Sequence, residues 1–344
     1  MTPAFVPGID IARSFHHDVV RPILAEELPD VPYSAALLAE GSEVLGFDTP
    51  RSTDHDWCPR VQVFLDQPTA ERHGQRLVDV FTDRLPPTWR GYPTAVVHSH
   101  EPDRPPRHRI VVTDFGRWVT GLLGFDPRER VTRADWLSTP TQRLAEFTGG
   151  GVFHDGLNVL EPARAALTWY PDDLWRYVLA CQWHRIAQEE AFPARCAEVG
   201  DALGAAVVTA RLVRDLMRLC LLMHRRYPPY SKWLGTAFVR LPGQHDLVGH
   251  LANTLSTPDW TSRERHLVAA YEDVAAQHNE LGITAPLDTH VRPYFSRPYQ
   301  VLDADRFVRA LGVDPPLTGA VDQFVDSADV LGDHRLLRSV ITVT

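Results

Sequence analysis

The hydrophobic pattern changes along the chain at roughly residue 139, and this change limits the possible folds more than any other feature. Before it, the apolar runs are short, and three of the four are rich in β-branched residues and bounded by Pro, Gly or Asp, which is typical of strands. After it, apolar residues recur at three- and four-residue steps over long stretches, which indicates amphipathic helices. The pattern predicts an α+β fold, with a small mixed-sheet domain followed by an all-α helical bundle. The predicted strands are 34–40, 55–66, 94–100 and 109–115, and the predicted long helices are 11–28, 69–85, 170–192 and 195–227.

A chain of 344 residues is long enough for two domains that each bury a core. We predict a first domain at 1–138 and a helical bundle at 139–282. The Pro-rich segment 283–344 is expected to pack on the helical domain. The stretch GGGVFHDG (149–156) is interpreted as a hinge or linker, because glycine adopts conformations that other residues resist.

Charge and composition favour a small-molecule partner. The formal net charge of −9 disfavours non-specific binding to nucleic acid or to anionic lipid. No stretch reaches the ~20 apolar residues that a bilayer span needs, and the N-terminal residues do not resemble a secretory signal. The cysteines form no C-x-x-C pair, so we expect reduced thiols and a cytoplasmic location. They are Cys58, Cys181, Cys196 and Cys220.

The stretch LAEGSEVLGFDTPRSTDHDW (38–57) carries the strongest candidate site. Gly41 permits a tight turn after a strand, and the amides of Gly41 and Ser42, at the start of a following helix, are candidates to hold phosphate oxygens. Asp54 and Asp56 lie two positions apart, so on an extended strand both carboxylates point to one face. Paired carboxylates beside bound phosphates suit Mg²⁺. The motif therefore predicts a site for Mg²⁺ and a nucleoside triphosphate.

The order of these elements resembles the signature of the nucleotidyltransferase superfamily. Several stretches, among them GSEVLGFDTPRSTDHDWCPR and LTWYPDDLWRYVLACQWHRIAQEEAF, look like the bacterial family DUF4037, over roughly residues 35 to 250. The two-domain plan is also similar to that of kanamycin-type antibiotic nucleotidyltransferases. The resemblance implies transfer of a nucleoside monophosphate to a hydroxyl of a small metabolite or antibiotic-like acceptor. The nucleotide expected first is AMP, taken from ATP. Gly41 and Ser42 would then hold the phosphates, and Asp54 and Asp56 the metals.

The same resemblance implies a third carboxylate on a neighbouring strand, and here the sequence departs from the pattern. Val111 occupies the position where an acid is expected. Glu101, Asp114 and Asp155 are the candidate replacements. If none of them serves, His98 or His100 is an alternative base, since the ordinary pKa of histidine suits proton transfer.

Two cations are candidate phosphate ligands. Arg60 follows Asp56 by four residues, and the alternative is that it is a solvated strand residue without a ligand. Lys232 lies between Tyr230 and Trp233, and the alternative is that this segment is a turn between helices with packed aromatic side chains.

Two other functions remain open from the sequence. The first domain is also compatible with a nucleotide sensor or assembly protein without turnover, because the third acid is uncertain. Arg218 and His224 have a spacing similar to that of HEPN ribonucleases, although an ordinary helix with cations near its C-terminal end explains them more simply.

Overall fold

The chain forms two compact units in the computed structural model, which describes residues 5–54 and 56–342. Unit 1 contains the residues up to 135 together with 143–168, and unit 2 contains 136–142 together with the residues from 169 onward. The predicted boundary at 138 differs from this division because the chain returns to unit 1 after residue 142. The segment from 283 belongs to unit 2.

Unit 1 combines a sheet with helices, and unit 2 is mainly helical. This arrangement confirms the predicted α+β class. The elements that begin before residue 160 are α1 (Gly8–Phe15), a π-helix (His16–Val20), α2 (Arg21–Glu27), β1 (Ser34–Leu37), a 3₁₀ helix (Pro50–Asp54), β2 (Arg60–Leu65), α3 (Gln67–Arg84), β3 (Thr88–Trp89), β4 (Tyr92–Pro93), β5 (Ala95–Val96), β6 (Arg107–Asp114), α4 (Phe115–Leu123), α5 (Arg133–Ser138), α6 (Thr141–Thr148) and β7 (Gly151–Asp155).

The later elements are mostly helices. They are α7 (Leu160–Ala166), α8 (Asp172–Glu189), α9 (Phe192–Glu198), α10 (Ala202–Met223), α11 (Ser231–Val239), α12 (His245–Ser256), α13 (Trp260–Glu280), β8 (Arg292–Pro293), β9 (Gln300–Val301), α14 (Asp305–Leu311), a 3₁₀ helix (Val321–Gln323), α15 (Ala328–Gly332) and α16 (His334–Thr342).

The main sheet of unit 1 has five strands in the order β5-β6-β2-β1-β7. β2 and β6 are parallel, and the other neighbours are antiparallel. The parallel register pairs Arg60 with Arg109 and Leu65 with Asp114. Arg60 and Arg109 therefore lie at one end of these two strands, and Asp114 lies at the opposite end.

The stretch predicted as a hinge, 149–156, contains a strand of this sheet. Gly151–Asp155 forms β7, which pairs with β1. Gly150 adopts a φ of +63°, and a Cβ there would collide with the carbonyl oxygen of Leu37. The glycines therefore allow close backbone packing at the sheet edge, and the prediction of a hinge was wrong.

The two faces of the sheet have different environments. One face of β2 carries Val61, Val63 and Leu65, which are buried in a core with Phe15 and Phe81. The opposite face carries the other β2 side chains, and this alternation follows from the two-residue period of a strand. There Phe64 contacts the rings of Phe115 and Trp118 at centroid distances of 5.5 and 5.1 Å. The second face is the one that also presents Arg60 and Gln62.

The core of unit 2 forms around α10. The predicted apolar stripe is confirmed at Leu212, Leu216 and Leu219, which are fully buried. The C-terminal segment contributes Phe307, whose ring stacks on Trp183 at 4.3 Å. No helix in the described part of the chain is long and apolar enough to cross a membrane. All four cysteines are free thiols.

Candidate functional site

The residues after β1 form a turn in place of the predicted helix. The amide of Val44 donates to the carbonyl of Gly41 at 3.1 Å, and the amide of Phe47 donates to that of Ser42 at 2.8 Å. Gly41 has a φ of +119°, which side chains rarely tolerate. The prediction of a helix N-terminus at Gly41 and Ser42 was wrong, so a phosphate there would meet turn amides and no helix dipole.

Arg60 is bound to this turn. Its Nη2 donates to the carbonyl of Glu40 at 2.6 Å and to Oε1 of Glu43 at 2.5 Å. The Arg60 and Glu43 side chains are 12% and 11% exposed. A Cβ on Gly41 would lie 2.5 Å from Oε2 of Glu43 and would also collide with the Arg60 guanidinium. Glycine at 41 is therefore needed for this ion pair to lie against the turn.

Asp54 and Asp56 precede β2, so the prediction that a strand points both to one face was wrong. Asp54 ends a 3₁₀ helix, and one of its oxygens lies 4.0 Å from Nε of Arg51. Asp56 has a φ of +52°, and its carboxylate accepts bonds from the amide and hydroxyl of Ser99 at 2.8 and 2.5 Å. Burial raises the pKa of Asp56, but the Ser99 hydrogen bonds outweigh it and the pKa lies below its ordinary value. Its carbonyl accepts a bond from Nη1 of Arg109 at 3.2 Å.

Two of the three candidate acids accept bonds from first-turn amides of helices, at the end of the strands opposite Arg60. Asp114 lies level with Leu65, five residues along β2 from Arg60, which is about 16 Å along the strand. Its carboxylate accepts a bond from the amide of Arg117 at 2.7 Å and caps α4. Asp155 is also at that end, because β7 pairs it with Ser34 at the start of β1. The structure does not bring Asp114 or Asp155 to Asp56.

Glu101 is the candidate acid on the same loop as Ser99, which binds Asp56. Its carboxylate pairs with Arg107 and lies 3.6 Å from Arg104. The rings of His98 and His100 lie 5.5 Å apart on the same loop. Within residues 5–54 and 56–342, no group of three or more His, Cys, Asp or Glu side chains is arranged to hold a metal.

A cavity of about 350 Å³ lies on the second face of the sheet, at the strand end that carries Arg60. Arg60, Arg109 and His98 line it, and Val111 and Trp118 add apolar surface. Gln62 and the segment 38–40 also line it, together with Val96, Arg107, His108, Ile110 and Leu122.

Three arginines line this cavity, and acids pair with two of them, Arg60 with Glu43 and Arg107 with Glu101. Burial lowers the pKa of Arg109, and the nearby charge of Arg60 lowers it further. Arginine nevertheless remains charged at every physiological pH. Two adjacent guanidinium groups that repel each other favour an anion between or beside them. The sequence reasoning missed Arg107 and Arg109, although their spacing of two in a strand-like run places both on one face.

The remaining predicted residues lie in unit 2. Lys232 is exposed on α11, with its ammonium 4.9 Å from the centre of the Trp233 ring. Arg218 donates to Asp322 at 2.6 Å, and Nδ1 of His224 lies 2.9 Å from the carbonyl oxygen of Cys220. Arg218 and His224 line two different cavities, and the ribonuclease pairing of these two residues stays a prediction from their spacing.

Comparison with known proteins supports the family resemblance. Residues 136–234 match DUF4037, a domain of unknown function. This match confirms the resemblance to that family over less than a third of the chain, and it includes neither Gly41 nor Asp56. No curated protein matches. Among solved structures, a nucleotidyltransferase-like protein from Exiguobacterium sibiricum 255-15 is similar, with 11% identity and a TM-score of 0.34, over 79% of this chain and 78% of that one.

Proposed function

We propose that unit 1 binds a nucleoside triphosphate in the cavity lined by Arg60 and Arg109, with ATP the first candidate. The observation that supports this most directly is the combination of two neighbouring guanidinium groups with the half-buried Trp118 in one cavity. Guanidinium groups bind phosphate oxygens in a bidentate manner, and an aromatic face stacks on a base. The volume of about 350 Å³ falls in the range of small-ligand sites.

The charged surface of the cavity would contact the phosphates of the nucleotide, and its apolar surface would contact the base or sugar. Arg109 is held by the Asp56 carbonyl and Arg60 by the Glu40 carbonyl, so both guanidinium groups are positioned before the ligand arrives. Positioning of this kind lowers the entropy cost of binding. Val111, which is 44% exposed, leaves apolar surface beside Trp118 for a base or sugar.

Calorimetry of the full chain with ATP tests this proposal. Arg109→Gln should weaken binding by about tenfold or more, because it removes a charge-assisted phosphate contact. Trp118→Ala should weaken it by a similar factor through lost stacking. Arg117→Gln is the matched control for Trp118, since Arg117 is the neighbouring exposed residue of α4. Equal affinity for wild type and both cavity variants would contradict the proposal.

Nucleotidyl transfer is the second candidate function, and the position of Asp56 supports it. The carbonyl of Asp56 accepts a bond from Arg109, which lines the cavity, so Asp56 would lie beside the bound phosphates. Mg²⁺ often binds through one or two carboxylates plus substrate phosphates, so two acids suffice where a nucleotide completes the shell. Mg²⁺ held there would neutralise charge on the leaving pyrophosphate. Glu101 would accept the proton of the acceptor hydroxyl, since it shares the loop of Ser99.

Transfer to a small metabolite or antibiotic-like acceptor has a direct test. The protein is incubated with ATP, Mg²⁺ and a metabolite extract, and mass spectrometry detects adenylylated products. Asp56→Asn keeps an acceptor for Ser99 but removes the charge, so it should abolish product while the fold remains. Tight ATP binding without product under any acceptor supports the sensor function and contradicts transfer.

A further inference from the structure

Unit 2 contains a second, independent cavity that is rich in arginine. It has a volume of about 270 Å³ and is lined by four arginines from two helices. Arg211, Arg214 and Arg218 lie three and four residues apart on α10, which places them on one helix face. Arg185 of α8 faces the same space. All four lie within the segment that matches DUF4037.

Acidic side chains hold three of these arginines in place, and each pair uses only some of the N–H donors of the arginine. Asp215 lies 3.2 Å from Arg185 and 3.7 Å from Arg214, and its side chain is 3% exposed. Glu189 pairs with Arg211 at 2.8 Å. Each guanidinium has five N–H donors, so these pairs leave donors available around the cavity.

The fourth arginine, Arg218, pairs with an acid that also lines the cavity. Arg218 donates to Oδ2 of Asp322 at 2.6 Å, and the Thr141 hydroxyl donates to the same oxygen. The Asp322 side chain is 6% exposed. Asp326 also lines the cavity, at an exposed position.

Buried polar atoms around this cavity lack hydrogen-bond partners. Oδ1 of Asp322, which lines the cavity, is a buried acceptor without a donor. Nε of Arg214, which also lines it, makes no hydrogen bond and has Oδ1 of Asp215 at 3.7 Å, beyond hydrogen-bond distance. Leaving such atoms unpaired is unfavourable, so they indicate a ligand with both acceptor and donor groups.

We propose that this cavity binds a phosphate monoester that carries at least one hydroxyl group, such as a small phosphorylated polyol or sugar. The phosphate would accept bonds from Arg214 and its neighbours, because guanidinium forks match phosphate geometry. The hydroxyl would donate to Oδ1 of Asp322. The exposed Tyr230 also lines the cavity and adds a ring at its side.

Calorimetry of the full chain at low ionic strength tests this site with three probes: glycerol 3-phosphate, inorganic phosphate and glycerol. Glycerol 3-phosphate should bind at least tenfold more tightly than inorganic phosphate, because only the ester carries alcohol hydroxyls that extend beyond the phosphate group. Glycerol should give no binding heat. Absence of binding by glycerol 3-phosphate at millimolar concentration overturns the proposal, and equal affinity for both phosphates overturns its hydroxyl contact.

Two variants locate the binding in the cavity. Arg211→Gln changes a side chain that is 50% exposed, so the fold should remain intact. Arg214→Lys keeps the charge but removes the Nε donor and the planar fork. Each should weaken glycerol 3-phosphate binding by at least tenfold. The exposed Arg226, just beyond α10, supplies the matched control Arg226→Gln.

Comparing the glycerol 3-phosphate affinities of the variants distinguishes binding in this cavity from a general charge effect and from binding in unit 1. Arg226→Gln and Arg109→Gln should leave glycerol 3-phosphate binding unchanged. Equal weakening by Arg211→Gln and Arg226→Gln would show a general charge effect and overturn the proposal. Loss of binding in Arg109→Gln would assign the heat to unit 1 and overturn it as well.

Discussion

Asp155 was a candidate catalytic base, and the structure instead predicts that it stabilises the fold. Its carboxylate accepts a bond from the Ser34 hydroxyl at 2.7 Å and bonds from the amides of Val159, Leu160 and Glu161 at 3.1 Å each. It thereby joins the start of β1 to the first turn of α7. Asp155→Ala should destabilise unit 1 and leave nucleotide binding unchanged.

The magnitude follows from the bonds that are lost. Removing a helix N-cap costs about 0.5–2 kcal/mol, and a hydrogen bond to a charged group contributes roughly 1.5–3 kcal/mol. Since Ser34 is fully buried and loses its acceptor, we expect a loss of about 2–4 kcal/mol in the free energy of unfolding. Asp155→Asn keeps one acceptor oxygen and should lose about half as much. Asp114→Ala removes an N-cap with one amide bond and should cost about 1 kcal/mol.

Urea unfolding followed by circular dichroism measures these losses. With a slope of about 2 kcal/mol per molar urea, Asp155→Ala should lower the midpoint by roughly 1–2 M. Amide hydrogen exchange across 160–166 localises the effect to α7. An unchanged midpoint together with lost nucleotidyl transfer would refute the capping role and restore Asp155 as a base.

The pH dependence has a definite sign. Burial raises the pKa of Asp155, but the hydrogen bonds from Ser34 and the three amides outweigh it, so the pKa lies below its ordinary value of 3.8. The stabilisation is therefore complete above pH 3.8 and is lost as the pH falls through the lower folded value. Stability of Asp155→Asn should vary less with pH in this range than stability of the wild type.

Three further outcomes are expected. Gly41→Ala should weaken ATP binding by about tenfold, because its Cβ would displace Arg60; Gly46→Ala is the control, since its φ is also positive but no atom lies within 4 Å of an added Cβ. Burial lowers the pKa of His278 from 6.5 to about 4, so lowering the pH from 6.5 to 4 should cost roughly 3 kcal/mol of stability; a flat urea midpoint over that range would contradict this. Wild type and His224→Ala should both leave RNA intact in a cleavage assay, because His224 and Arg218 line different cavities. RNA cleavage that depends on His224 would contradict this.

Local patterns determined much of the fold. A short apolar run that stops at glycine indicated the segment that contains β1, and β-branched runs indicated those that contain β2 and β6. The three- and four-residue apolar steps indicated α8 and α10. These features are readable because the period of side chains along a helix or strand is a local property. The glycine turn at 41 is equally local, since it follows from the conformations that a Cβ forbids.

The roles of charged side chains depended on pairing between distant segments. Arg109 lies beside Arg60 because β6 pairs in parallel with β2, and Asp155 binds Ser34, 121 residues away in sequence, because β7 pairs with β1. A carboxylate has the same local pattern whether it caps a helix or binds a metal. The sequence alone therefore determined the long helices α3, α8 and α10 and four of the five strands of the main sheet. Only tertiary packing decided which acids bond to helix ends and which arginines line cavities, because burial and neighbouring charges are set by residues far away in the chain.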